Sequence, residues 1–293
     1  VIVAIASGKG GTGKTTVAVN LCRILETPVQ LLDCDVEAPN AHLFLRPVVA
    51  SSRPAGIPVP RVDETSCTLC GSCGELCQYN AIAVLKTRVM VFEELCHGCG
   101  GCALFCPEGA IREELRPIGV VELGSAGEVE VVTGRLNVGE ALAPPLIRAV
   151  KHEARDDRSV IVDAPPGTSC PMITAVQGSD LVVLVTEPTP FGLNDLVLAV
   201  EAVQVLGIPF GIVVNRAGSG DDRVHEYCAA EGLDILAEIP DERRIAESYS
   251  RGRLLVDELD HTRSLFAALA RRIEARLGRR LDDVHGGALH AHV

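Results

Sequence analysis

Two sets of residues in this 293-residue chain have the types and spacing to do chemistry. The first is a glycine-rich run near the start, Gly8-Lys9-Gly10-Gly11-Thr12-Gly13-Lys14-Thr15-Thr16. Glycines let backbone N–H groups close around phosphate oxygens, and a helix opening at such a run adds a favourable dipole. Lys14 is placed to reach β- and γ-phosphates, and the Thr15 hydroxyl to ligate Mg²⁺. The second set is a duplication. Cys67, Cys70, Cys73 and Cys77 recur 29 residues later as Cys96, Cys99, Cys102 and Cys106. Each run reads Cys-x-x-Cys-x-x-Cys-x-x-x-Cys, a spacing suited to iron–sulfur cubanes. Three thiolates at that spacing can wrap three irons, and the remote fourth can reach the neighbouring cubane. Zinc is the rival, since Cys-x-x-Cys also suits it, but eight cysteines in this duplicated spacing favour iron.

The elements that must position these groups follow from the apolar pattern. Short branched runs at 1–6, 29–32, 160–162, 181–185 and 210–214 read as central parallel strands. Helical patterns lie between them at 15–26, 139–155, 194–206, 222–231 and 263–277. Alternation of this kind predicts a doubly wound, mostly parallel α/β sheet. Aromatic residues make up only 3% and tryptophan is absent, so Val, Ile, Leu and Ala must build the core. Residues 47–60 hold Pro47, Pro54, Pro58 and Pro60 and read as an extended connector. Segments 119–123 and 128–132, split by Ser125-Ala126-Gly127, read as a hairpin returning to the main domain. The expected division is 1–46 and 116–281 for one interrupted domain, 61–115 for an inserted cysteine module, and 282–293 for a disordered tail.

Beyond the glycine-rich run, Lys9 with Gly-Gly-Thr-Gly-Lys-Thr-Thr resembles the deviant Walker A loop of the MinD/ParA/nitrogenase-iron-protein class of P-loop ATPases. That resemblance implies that Lys9 crosses a dimer interface to the partner's nucleotide. Leu31-Leu32-Asp33-Cys34-Asp35 through Asn40 looks like switch I, implying that Asp33 helps hold Mg²⁺ and Asp35 orients the attacking water. Val160-Ile161-Val162-Asp163 through Gly167 looks like Walker B with switch II, implying Asp163 on the metal and the Gly167 N–H on the γ-phosphate. Asn215-Arg216 and Pro240-Asp241 are similar to the adenine-binding segments of the class. The cysteine runs resemble two-cluster bacterial ferredoxins, which implies Cys67, Cys70, Cys73 and Cys106 on one 4Fe–4S cluster. Cys96, Cys99, Cys102 and Cys77 would then hold the other. Cys106 precedes Pro107 as in that family, whereas Cys77 precedes Gln78, which bears on the local turn more than on ligation.

The resemblance implies an ATP-binding and hydrolysing switch, a homodimer or a heterodimer with a paralogue in the ATP state. Its expected cofactors are ATP or ADP, Mg²⁺ and two 4Fe–4S clusters, and its expected partner is a redox or metal-cofactor client. The cysteine segment follows switch I, near Phe44, so the nucleotide state would control electron transfer or cofactor delivery. An Mrp-type iron–sulfur carrier and a MinD/ParA-like positioning ATPase with redox sensing are the alternatives. A net charge of −12 argues against a nucleic-acid partner. The apolar start at 1–6 is too short for a signal peptide, no run is long enough to span a bilayer, and cysteine-rich metal ligation suits the cytoplasm. The stripe Leu265, Phe266, Leu269, Ile273 and Leu277 is expected to pack on the sheet rather than on a membrane. Cys22 and Cys228 read as core residues, Cys34 as facing away from the site, and Cys170 as a packing residue with an interface role as the alternative. His285, His290 and His292 belong to the expected disordered tail.

Overall fold

The computed structural model describes residues 1–25 and 28–281; the three tail histidines lie outside them. In chain order the first part comprises β1 (Ile2–Ala6), α1 (Lys14–Ile24), β2 (Val29–Asp33) and α2 (His42–Leu45). The cysteine segment follows: β3 (Val48–Val62), α3 (Ser72–Leu76), β4 (Ile82–Val84), β5 (Val89–Val91), α4 (Gly101–Leu104) and β6 (Ile111–Ala126). Next come β7 (Val129–Leu136), α5 (Ala143–Lys151), β8 (Ser159–Asp163), α6 (Cys170–Val176), β9 (Leu181–Thr186) and α7 (Pro190–Val205). The described residues finish with β10 (Phe210–Ala217), α8 (Arg223–Ala230), β11 (Ile235–Pro240), α9 (Arg243–Ser250), α10 (Leu255–Glu258) and α11 (Asp260–Leu277).

Nine strands form one sheet in the order β11-β10-β9-β1-β8-β2-β7-β6-β3, while β4 and β5 pair separately. From β11 to β7 every pairing is parallel, and β6 is antiparallel to both β7 and β3. The central strands β1, β2, β8 and β9 carry little but Val, Ile, Leu and Ala because helices cover both their faces. Their period of two divides the core. Ala4, Ala6, Val160 and Val162 pack with α5, α6, α7 and α8. Val3, Ile5 and Ile161 pack with α1, α10 and α11. In α11, Phe266, Leu269 and Ile273 are buried in that second cluster, so its apolar stripe is covered by the sheet. Among the described residues no helix is long and apolar enough to cross a membrane.

Several boundaries differ from expectation. The helix expected over 139–155 runs only Ala143–Lys151, because Pro144 and Pro145 fit the first turn and nothing upstream. The helix expected from 194 starts at Pro190, where Thr189 Oγ1 accepts from the Gly192 N–H at 3.0 Å. Residues 47–60 are extended but are not a free connector: most of them lie in β3, the edge strand. Edge position explains the tolerance of Pro54, Pro58 and Pro60, whose missing N–H groups break no inner ladder. The hairpin is present as β6 and β7, closed between Ala126 and Val129.

The register shows where the cysteines go. Val48 pairs with Ser125, Ser125 with Glu130, and Glu130 with Gln30, so β3 begins at the sheet edge remote from the nucleotide loop. The chain therefore does not depart for the cysteines directly at Phe44. It first descends through α2, then climbs the whole sheet along β3. Gly119 is the last β6 residue paired to β7, opposite Leu136. Beyond it β3 and β6 continue as a two-stranded ribbon from the Gly56–Pro117 pair to the Val62–Ile111 pair, past a register shift at Ala55/Gly56. Seven pairs at about 3.4 Å each carry the ribbon roughly 20 Å beyond the edge. That edge is the one on which β1, β2 and β8 end in the glycine loop, Asp33 and Asp163. Apolar packing is continuous along it, since Ala55, Ile57 and Val59 share a cluster with Ala81 and Cys96 of the module.

At the ribbon's foot, Leu136 N donates to Val36 O at 2.8 Å and Asn137 N to Ile118 O at 2.9 Å. Val36 sits on Gly134, where an added Cβ would lie 2.5 Å from Val36 Cγ1 and 2.6 Å from Val150 Cγ2. Gly134→Ala is expected to cost about 1–3 kcal/mol by overpacking, read as a fall of several degrees in the thermal midpoint. An unchanged midpoint would show that Val36 is not seated on β7.

Candidate functional site

A cavity of about 350 Å³ lies at the carboxyl ends of the central strands, where open α/β sheets bind ligands. It is lined by Gly10, Gly11, Gly13, Lys14, Thr15 and Thr16 on one side, and Asn215, Arg216, Pro240 and Asp241 on another. Asp35 also lines it. The tertiary fold thus brings together residues more than 200 positions apart. The loop reaches its shape through Gly11 and Gly13, at φ 81° and 96°. Gly13 also leaves room for Asn215, whose Nδ2 donates to Thr12 O at 2.8 Å; a Cβ on Gly13 would lie 2.4 Å from that nitrogen. Gly8 lies under the loop against α7, where a Cβ would meet the Asp195 carbonyl oxygen at 2.0 Å.

The carboxylates behind the loop form a cluster short of hydrogen-bond donors. Thr15 Oγ1 donates to Asp163 Oδ2 at 2.6 Å. Asp33 Oδ2 accepts from the Ala41 N–H at 3.1 Å. Asp33 Oδ1, Asp163 Oδ1, Asn40 Oδ1 and Thr12 Oγ1 are buried with no hydrogen-bond partner among the described residues. Burial raises the pKa of Asp33 well above the carboxylate range, and the charge of Asp163 raises it further. Burial likewise raises Asp163, opposed by Thr15 and Lys14. Lys14 is lowered by burial, opposed by Asp163 and Asp35, and Asp35 is raised by burial, opposed by Lys14. Hard oxygens, buried and lacking donors, beside a threonine hydroxyl are what a magnesium ion takes as ligands. Thr15, Asp33 and Asp163 therefore fit Mg²⁺.

Two expected contributors are turned elsewhere. Gly167 N donates to Ser7 O at 3.0 Å and does not line the cavity, which its neighbour Pro166 does. Lys9 Nζ lies 3.4 Å from Glu187 Oε2 of its own chain, and Arg216 Nη1 lies 2.9 Å from Glu187 Oε1. Glu187, 7% exposed, was missed in the sequence reading. Its signal was an acid just past the carboxyl end of β9. Also missed were Glu242, Ile245, Ala246 and Tyr249, the α9 side of the cavity, because that helix is short and polar.

The cysteines gather at the far end of the ribbon. Cys67, Cys70, Cys73 and Cys106 line one small cavity with Val62, Ala110 and Ile111. Cys77, Cys96, Cys99 and Cys102 line a second, with Pro58 and Pro60 of the ribbon. The repeat is also conformational. Positive φ angles recur 29 residues apart at Leu69 and Gly98, Gly71 and Gly100, and Asn80 and Gly109. Amides follow the same offset: Ala81 N donates to Cys77 Sγ at 3.4 Å and Ala110 N to Cys106 Sγ at 3.3 Å. Among the described residues no group of three or more His, Cys, Asp or Glu side chains is set to hold a single metal ion. A cubane makes a different demand, one iron per thiolate around a common cavity. Of the other cysteines, Cys22, Cys34 and Cys228 are buried, while Cys170 opens α6 exposed rather than packed.

A glycine loop with its lysine, a buried threonine–aspartate pair and a base-sized cavity at the sheet edge define a P-loop ATPase. The chain belongs to the CobQ/CobB/MinD/ParA nucleotide binding domain family, whose model matches residues 3–256, and it is an ATPase of the MinD/ParA kind. An uncharacterized protein of Methanocaldococcus jannaschii is 31% identical over 262 residues, covering 86% of this chain and 90% of its own. An iron-sulfur cluster carrier protein of Pyrococcus horikoshii is 25% identical over 271 residues, 85% of this chain and 77% of its own. The cell division ATPase MinD of Pyrococcus furiosus shares the fold, with a TM-score of 0.58, 22% identity and coverage of 94% and 98%.

Asp33→Asn keeps an acceptor for the Ala41 N–H and removes one of two buried negative charges. Metal-free protein is expected to gain about 1–2 kcal/mol at pH 8 and to lose its Mg²⁺-dependent thermal shift with ADP. The folded pKa of Asp33 is raised, so its favourable contribution is complete below the unfolded value and lost as pH rises through the folded one. The metal-free wild type should weaken across that window, and Asp33→Asn should weaken less, its remaining loss coming from Asp163. A variant less stable than wild type without metal would refute the charge conflict.

Proposed function

We propose that this chain is a nucleotide-switched iron–sulfur protein: ATP binding and hydrolysis gate electron transfer or metal-cofactor delivery through two 4Fe–4S clusters. The observation that carries the reading is the sorting of eight thiols into two cavities of four, each taking its fourth cysteine from the other repeat. When bound, the clusters would supply one-electron chemistry. Backbone amides donate to the sulfurs of Cys77, Cys96 and Cys106, the kind of contact that tunes a sulfur-ligated cluster. In the ATPase, Lys14 and the loop amides grip the phosphates, Thr15, Asp33 and Asp163 hold Mg²⁺, and Asp35 orients water. In the ATP-bound dimer Lys9 exchanges Glu187 for the partner's nucleotide.

A route for coupling runs from Asp35 to its neighbour Val36, whose carbonyl accepts from Leu136 at the foot of the ribbon. Arg116, on the ribbon, also pairs with Glu140 at 2.6 Å, and both side chains are largely buried. Movement of switch I with the γ-phosphate would thus be felt where the cysteine module is rooted.

Anoxic reconstitution is expected to bind about eight irons and eight sulfides per chain, and Cys99→Ser about half of that with one EPR signal lost. Colourless protein, or zinc in place of iron, would overturn the cluster reading. The reduced EPR spectra should differ between ADP and ATP and become identical in Lys14→Ala; identity in the wild type would exclude gating. The iron–sulfur carrier relatives favour a second reading as a carrier. Stoichiometric loss of iron to an apo-ferredoxin would select it.

A further inference from the structure

Helices α3 and α4 are the same piece of the cysteine repeat, 29 residues apart, and they differ where they meet solvent. The backbone is alike in both: Glu75 N donates to Gly71 O at 3.1 Å and Leu104 N to Gly100 O at 3.0 Å. Glu75 and Leu76 of the first copy stand where the second has Leu104 and Phe105. Leu76 lines the cavity of Cys77, Cys96, Cys99 and Cys102, whereas Phe105 lines neither thiol cavity. Leu104 is 79% exposed and Phe105 65%, and neither joins the core. The first copy forms the same turn with an acid at the Leu104 position, so the cysteine turns do not require the apolar pair. An exposed phenylalanine beside an exposed leucine suits the centre of a protein contact.

The setting says what kind of partner fits. The pair lies between Cys102, on one thiol cavity, and Cys106, on the other. Exposed acids lie nearby: Glu75 on α3, which packs on α4, and Glu108 at the cavity of Cys106. Glu113 is a third, its Oε1 3.5 Å from where a Cβ on Gly100 would lie. None of the three is paired with a cation among the described residues. Residues 61–115 carry eight acids and four bases, and two of the bases, Arg61 and Arg112, are held by Glu93 and Glu114. Cubanes on four thiolates each would add negative charge. A second copy would bring the same charge to the contact and be repelled, whereas a basic rim would be drawn to it.

We propose that Leu104 and Phe105 are the centre of a docking surface for a one-electron redox protein whose own apolar contact is ringed by lysine or arginine. One electron passes there between the partner's carrier and the cluster on Cys106. One of the two is oxidised as the other is reduced, and no bond or proton moves. The proposal deepens the iron–sulfur reading and rests on it.

The test uses the full chain carrying its clusters and two probes: cytochrome c, a basic one-electron acceptor, and ferricyanide, which needs no docking face. Calorimetric titration of the oxidised chain with ferricytochrome c should show binding that weakens about 10-fold or more between about 0.05 M and about 0.5 M salt. Leu104→Ser with Phe105→Ser should weaken it about 10-fold at low salt. The same variant should slow cytochrome c reduction alike and leave ferricyanide reduction and iron content unchanged. Glu75→Gln with Glu108→Gln and Glu113→Gln should flatten the salt dependence. Leu85→Ser, at an exposed leucine between β4 and β5, should match wild type. Unchanged cytochrome c binding in the Leu104 and Phe105 variant would overturn the proposal. So would equal slowing with ferricyanide, which would mark a damaged cluster. A wild-type dimer in sedimentation that this variant dissolves would also overturn it, by giving the face to a second copy. Protein without iron would overturn the cluster reading and this one together; about eight irons with unaltered binding would overturn this surface alone.

Discussion

Two carboxylates buried at the ends of adjacent parallel strands govern this molecule. Asp33 and Asp163 are register partners on β2 and β8, both 0% exposed, and between them they receive two hydrogen bonds from the chain. Charges removed from water without full pairing are costly. In the proposed function a cation would complete the cluster, arriving with the nucleotide whose phosphates the adjoining loop would grip. On that proposal stability and ligand binding are linked at one place, and the segments tied to those carboxylates are the ones a nucleotide would move. Ala41 hangs from the Asp33 carboxylate through its N–H, and Thr15 from that of Asp163 through its hydroxyl.

From this edge the ribbon of β3 and β6 extends the ATPase toward the cysteine module. Its construction suits a semi-rigid arm. Residues alternating inward keep the apolar packing unbroken from sheet to module, while the register shift at Ala55/Gly56 gives one local place to bend. The two thiol cavities are not equivalent. One borders Pro58 and Pro60, closer to the sheet, and the other borders Val62 and Ile111 at the tip. An arm carrying a near and a far site has a direction, from an exposed tip toward the nucleotide edge.

Local chemistry was legible in the linear chain. A glycine loop between an apolar strand and a helix, aspartates at strand ends and a cysteine run repeated at a constant offset each depend on near neighbours. Chain order and residue type therefore express them. Even the conformational repeat at Leu69 and Gly98 follows from the duplication, although Leu69 adopts positive φ without glycine's freedom. Element ends were less legible. Pro144 and Pro145 shortened one helix, and a capping threonine lengthened another.

What the amino-acid order determined by itself is the parallel α/β core, the phosphate loop and the duplication of the cysteine run, because periodicity and spacing are properties of the chain. Tertiary structure alone decided that a proline-rich stretch is an edge strand, since that requires a distant partner to hydrogen-bond. It also decided that Lys9 and Arg216 share Glu187, that Gly167 turns its N–H to Ser7, and that a polar helix brings Tyr249 to the cavity. Those are contacts between residues far apart in sequence, and the pairwise geometry that makes them exists only once the sheet has assembled.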